Sequence, residues 1–171
     1  MYVLVIGLVL FLSVILQATV LPHLQIFGIK PDLVSLVVVA FALFRGRYQG
    51  AAVGISGGLL IDLLRGDFLG LAALSKGTTG FLLGTMEERV FNDDFIVPII
   101  TAFAGTFADQ LLFLILGNAF GLDYPLWPGI FAVAIPTALY TAMLMPLLYN
   151  RLYGLNRRLI KMSWEVRRKL F

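Results

Sequence analysis

The chain has no cysteine and one histidine, His23. Disulfides and thiolate metal sites are therefore excluded, and no redox compartment can be read. His23 alone cannot build a His-rich metal site. There is no Ser/His/Asp set, no phosphate loop and no metal-ligand spacing, so no catalytic residue, metal or cofactor is expected. Charge is scarce too: Asp, Glu, Lys and Arg make up 13% of the 171 residues. A soluble domain carries about 25% charged residues, so this chain has too few to cover a surface in water. The N-terminal run "MYVLVIGLVLFLSVILQATVLP" has no basic flank and is too long for the core of a secretory signal. It reads as a retained first span.

What remains is apolar. Hydrophobic residues make up 60% of the chain, and mean hydropathy is +0.93. The expected fold class is an all-α polytopic membrane protein, a compact bundle of about six transmembrane helices. The 17 glycines fit, because small residues let membrane helices approach closely. Candidate spans are Tyr2–Leu21, Leu33–Phe44, Tyr48–Leu64, Leu69–Thr85, Phe95–Leu116 and Trp127–Tyr149. The second is short, and it forms either a full crossing or a re-entrant pair with the third. Residues 1–149 make the transmembrane domain and 150–171 a basic cytoplasmic tail.

Basic residues orient the bundle. With both termini cytoplasmic, ten fall inside: Arg45, Arg47, Arg89, Arg151, Arg157, Arg158, Lys161, Arg167, Arg168 and Lys169. Only Lys30 and Arg65 fall outside, and Lys76 lies within a span. That asymmetry is the positive-inside signature. Glu87, Glu88, Asp93 and Asp94 fall in an inside loop, but acidic residues weigh little in this rule. Tyr124 and Trp127 sit where an outer aromatic belt belongs. Pro31 and Asp32 suit the start of the second helix, where a carboxylate meets the positive end of the dipole. Pro136 and Pro146 should kink the sixth span.

Three constellations carry the argument. Gly46, Gly50 and Gly54 recur every four residues, followed by Gly57 and Gly58. Such a stripe is smooth enough for a second backbone, either within the bundle or from a partner helix. Gly77, Gly80 and Gly84 make a looser second stripe. Next, Asp62, Lys76 and Asp109 fall at similar depth on three helices, counting about 1.5 Å per residue. A charge in hydrocarbon costs at least about 2.5–3.5 kcal/mol, so Lys76 should bridge to Asp62, Asp109 or both. The alternative is that Asp62 snorkels to the outer interface near Arg65. Third, the tail "NRLYGLNRRLIKMSWEVRRKLF" places Leu152, Leu155, Leu159, Met162, Val166 and Leu170 on one face. Arg157, Arg158, Lys161, Arg167, Arg168 and Lys169 supply the charge of an interfacial amphipathic helix that contacts anionic lipid. No nucleic-acid partner is expected.

Residues 30–70, "KPDLVSLVVVAFALFRGRYQGAAVGISGGLLIDLLRGDFLG", resemble the rod-shape-determining MreD family. The resemblance rests on the Pro31-Asp32-Leu33 entry, the Gly46/Gly50/Gly54 ladder, and Gly58-Leu59-Leu60-Ile61-Asp62 followed by Gly66 and Gly70. It implies a non-enzymatic scaffold of the bacterial elongation (rod) complex in the cytoplasmic membrane. It further implies work with the bitopic MreC, the actin-like MreB, and the glycosyltransferase and transpeptidase that build lateral peptidoglycan; a homodimer is left open. The family is also similar in its six-helix fold to the substrate-binding components of energy-coupling-factor vitamin transporters. That supplies the alternative reading, a small-molecule-binding component of a transporter. A sizeable pocket with convergent polar groups would mark it. The basic tail is not something the resemblance explains.

Overall fold

The computed structural model describes residues 2–23, 25, 28–66, 68–86 and 96–168, with side chains between Leu4 and Arg158. All described regular structure is helical: α1 (Tyr2–Thr19), α2 (Leu33–Arg45), α3 (Arg47–Arg65), α4 (Leu71–Gly84), α5 (Ile96–Ala119), the short α6 (Leu126–Pro128) and α7 (Ile135–Arg168). A π-helical stretch, Gly129–Ala134, joins α6 to α7. The spans read from the sequence match α1 to α5 to within a few residues. Three segments are long and apolar enough to cross a membrane: Leu4–His23, Ile96–Ala119 and Leu126–Arg158. The molecule is a helical membrane bundle.

The core is α2. Every residue from Val34 to Leu43 is buried, and the helix touches α1, α3, α4, α5 and α7. A run of valines is a poor isolated helix former, so burial on all sides is what holds it. Its 13 residues span only about 20 Å. That is short for a hydrocarbon core of about 30 Å, but protein rather than lipid surrounds it. On α1 the stripe Ile6, Leu10 and Val14 faces inward, and Leu4, Leu8, Phe11 and Leu12 face outward. Ser13 Oγ donates to the Val9 carbonyl at 2.8 Å, which satisfies a hydroxyl where water is scarce.

Gly46 alone separates α2 from α3, with φ +79° and ψ −176°, a conformation open in practice only to glycine. The chain folds straight back. A Cβ on Gly50 would meet Ala42, and one on Gly57 would meet Val34, so the two helices run antiparallel. The same test pairs α3 with α4. Gly50 faces Gly80, Gly54 faces Lys76 and Gly77, and Gly58 faces Ala72 and Ala73, all at backbone contact. The glycine ladder is thus enclosed within the bundle and cannot also form a partner face at Gly50, Gly54 or Gly58. Gly46 sits at the turn against Gly84, and Gly57 packs on α1 and α2 instead of α4.

Pro136 follows the π-helical stretch after one intervening residue, Ile135. It lacks the N–H that would continue the regular ladder, so the wider turns ahead of it take up the mismatch. Pro146 lies inside α7. That helix continues without a break from 149 into 150–168. Leu152 and Asn156 are buried, and Arg45 Nε donates to Asn156 Oδ1 at 2.7 Å, so the first turns of the tail pack on the bundle.

A candidate functional site built on a buried ion triad

The bundle has two ends. One carries Gly46 and the tail; the other carries residues 66–70 and 120–125. The polar site opens toward the second. It begins with Asp32, the N-cap of α2, whose Oδ1 accepts from the Ser35 N–H at 2.9 Å. A carboxylate is well placed there, because the first turn of a helix has N–H groups without internal partners. The Asp32 N–H donates to Thr141 Oγ1 of α7 at 2.9 Å, which ties the cap to the far side of the bundle.

Lys76 reaches across from α4. Its Nζ donates to Asp32 Oδ2 at 2.6 Å, Asp109 Oδ2 at 2.6 Å and Ser35 Oγ at 2.5 Å. All three ammonium hydrogens therefore have acceptors. Ser35 Oγ in turn donates to Asp109 Oδ2 at 2.7 Å. Lys76 is 4% exposed and both carboxylates are comparably buried. Short charge-assisted bonds in a closed network of this kind offset the removal of three charges from water. α2, α4, α5 and α7 are joined at this one point.

Asp62 stands elsewhere. The expectation that it bridges Lys76 does not hold, and neither does snorkelling, since Asp62 is 3% exposed. Its Oδ2 accepts from the N–H groups of Gly70 (3.0 Å) and Ala73 (3.2 Å), and its Oδ1 from Ala72 (3.1 Å). The reason is local. α3 ends at Gly66 with φ +71°, and α4 is entered through Gly70 with φ +103°. That sets the start of α4 beside the last turn of α3, where its unpaired N–H groups and positive dipole end hold a carboxylate. The third member of the triad is Asp32, not Asp62. The sequence placed Asp32 as a cap and gave no role to Ser35 or Thr141. The signal was present in Asp32-Leu33-Val34-Ser35, a capping spacing at the depth of Lys76.

A cavity of about 330 Å³ opens onto the triad. Lys76, Asp32 and Asp109 line it together with Asp62, Gln110, Phe113, Tyr124 and Arg65. The Arg65 guanidinium stacks 5.4 Å from the Phe113 ring centre. A second hollow of about 440 Å³, lined by Gln17, Lys30 and Thr137, shares Asp32, Arg65 and Gln110 with the first. Among the described residues, no three His, Asp or Glu gather as metal ligands.

The family model for the rod shape-determining protein MreD matches residues 1–159. The chain belongs to the MreD family. No curated protein and no solved structure matches it. In this MreD-family chain the stretch at 30–70 now has a physical reading. Pro31 and Asp32 start α2 and supply an ion-pair partner. The glycine ladder lets α4 lie against α3. Asp62 and Gly70 close the α3–α4 turn, while Leu59 is 42% exposed on the outer side of α3. In the tail Arg157 and Arg158 are exposed, and the Arg157 guanidinium lies 5.6 Å from the Tyr153 ring centre. The side chains of Lys161, Arg167 and Arg168, and all of Lys169, lie outside the described residues, as do Glu87, Glu88, Asp93 and Asp94.

Proposed function

We propose that this MreD-family protein is a non-enzymatic scaffold of the bacterial elongation complex. It sits in the cytoplasmic membrane as six crossings with both termini in the cytoplasm. Family membership over residues 1–159 carries the reading. The structure supports it: the two ionisable side chains buried in α3 and α4 each join one helix to another. Lys76 binds α2 and α5 to α4, and Asp62 binds α3 to α4. A body stiffened in this way presents a fixed outline to partners. Those partners are an MreC-like bitopic protein, with MreB, the elongation glycosyltransferase and the transpeptidase in the wider assembly. The basic tail, from Arg157 onward, adds contact with anionic lipid.

The test is depletion with parallel affinity purification from rod-shaped cells. Depleted cells round up, and the tagged chain brings down the bitopic partner. Cells that keep their length and width without the protein would refute the proposal. One observation favours the alternative, a small-molecule-binding transporter component: the cavity of about 330 Å³ with polar walls. Native mass spectrometry of the purified chain decides between them, since a vitamin-sized adduct lost on changing Lys76 would replace the scaffold reading.

A further inference from the structure

Three buried side-chain oxygens have no hydrogen-bond partner among the described residues: Asp109 Oδ1, Thr106 Oγ1 and Thr79 Oγ1. Their residues are 3%, 0% and 3% exposed. Their positions are related. The Lys76–Asp109 contact sets the register of α4 against α5, and Leu83 against Gly105 repeats it further along. The two helices therefore run antiparallel. Thr79 falls between Lys76 and Leu83 on the stripe of α4 that meets α5. Thr106 lies three residues before Asp109 and shares its face of α5, since residues three and four apart share a helix face. Thr79 and Thr106 thus each lie one turn along their helices from the Lys76–Asp109 contact, and Asp109 itself lines the cavity.

The charges point the same way. Asp32 and Asp109 bring two negative charges to Lys76, which supplies one positive charge. Asp62 is held separately by the start of α4. Within the triad one negative charge is left over, since Arg65 on the cavity wall lies against Phe113, and the carboxylate oxygen with no partner belongs to Asp109. Buried polar groups are nearly always satisfied, and a buried charge is normally paired.

We propose that Asp109, Thr106 and Thr79 bind one small monovalent cation of the Na⁺ class. Such an ion cancels the remaining charge and gives all three oxygens a common partner. A proton on Asp109 does only the first. A divalent ion fits poorly: Ca²⁺ takes about 6–8 oxygens and Mg²⁺ a near-ideal octahedron. Either would also leave an unpaired positive charge in the bundle. The cavity gives the ion a route to Asp109 and supplies water for its other coordination positions.

The experiment uses the full chain purified in detergent, with NaCl replacing choline chloride at constant ionic strength. A ligand that binds only the folded state raises Tm in a saturable way. Na⁺ is expected to do so. Thr79→Val and Thr106→Val, which keep shape and remove the hydroxyl, should each weaken the apparent Na⁺ affinity at least tenfold. Thr79→Ser and Thr106→Ser should restore it. Thr101→Val should leave it unchanged, because that hydroxyl already bonds the Val97 carbonyl. Should the valine variants not fold, retention of ²²Na⁺ by the wild-type chain decides, with one ion per chain expected. Equal Tm in choline and Na⁺, stability that follows pH but not Na⁺, a Na⁺ effect indifferent to both threonines, or no retained ²²Na⁺ overturns the proposal.

Discussion

Lys76 and Asp62 are both buried carriers of charge on neighbouring helices, yet they are stabilised by different means. Lys76 depends on two carboxylates, so removing it strands both. Breaking a buried pair by deleting one partner costs about 3–5 kcal/mol. Lys76→Met should therefore lower Tm strongly in detergent, and adding Asp32→Asn and Asp109→Asn should recover much of the loss. Asp62 depends on backbone N–H groups, so Asp62→Leu should be equally harmful whether or not Lys76 is charged. In double-mutant cycles the Lys76–Asp109 coupling should exceed about 1 kcal/mol, and the Lys76–Asp62 coupling should stay below about 0.5 kcal/mol. A strong Lys76–Asp62 coupling would contradict the geometry. The sequence displayed the charges but not their pairing. Depth can be counted along a helix, whereas the direction a side chain faces depends on how the helices are rotated. Asp32 reads from the sequence as a cap, a role that occupies Oδ1 and leaves Oδ2 for Lys76.

At the scale of the element, the α3–α4 hairpin is governed by what glycine lacks. A Cβ on Gly54 or Gly58 would run into the backbone of α4, which cannot yield as a flexible side chain can. Gly54→Ala or Gly58→Ala should cost about 1–3 kcal/mol, the usual range for overpacking. Gly7 and Gly154 have nothing within 4 Å of the added carbon. Gly7→Ala and Gly154→Ala should be neutral or stabilising by up to about 1 kcal/mol, since alanine suits a helix better. Thermal unfolding followed by size-exclusion chromatography distinguishes the two pairs. Gly50 belongs with the first pair, so a bulky residue there reports on folding and not on partner binding. The period of four in the glycines was legible in the sequence. Which helix filled the groove was not, because a stripe of glycines accepts a helix of the same bundle or a partner's helix, and only the antiparallel return at Gly46 and the contact with α4 decide it.

At the scale of the whole molecule, the three long apolar segments were readable because hydrocarbon thickness and hydropathy constrain length directly. Of α1 to α5, α2 is the shortest, with α4 at 14 residues close behind. Its 13 residues look short for a crossing, and only its enclosure by the other helices explains them. The cavity was not readable, since it is the gap left when α3, α4, α5 and the segment around Gly129 meet. Orientation can be tested cleanly because the chain has no native cysteine. A membrane-impermeant maleimide applied to intact cells should label Trp127→Cys and leave Arg158→Cys untouched until the cells are opened. The reverse pattern would turn the bundle over and invalidate the placement of both termini.

The spacing of the triad along the chain has a further consequence, for how the protein is made. Lys76 is synthesised 44 residues after Asp32 and 33 before Asp109. When Lys76 is added to the growing chain, only one of its two carboxylate partners has been made. Asp32 can neutralise the lysine before Asp109 exists, whereas Asp109 has no cation to meet unless α4 is already in place.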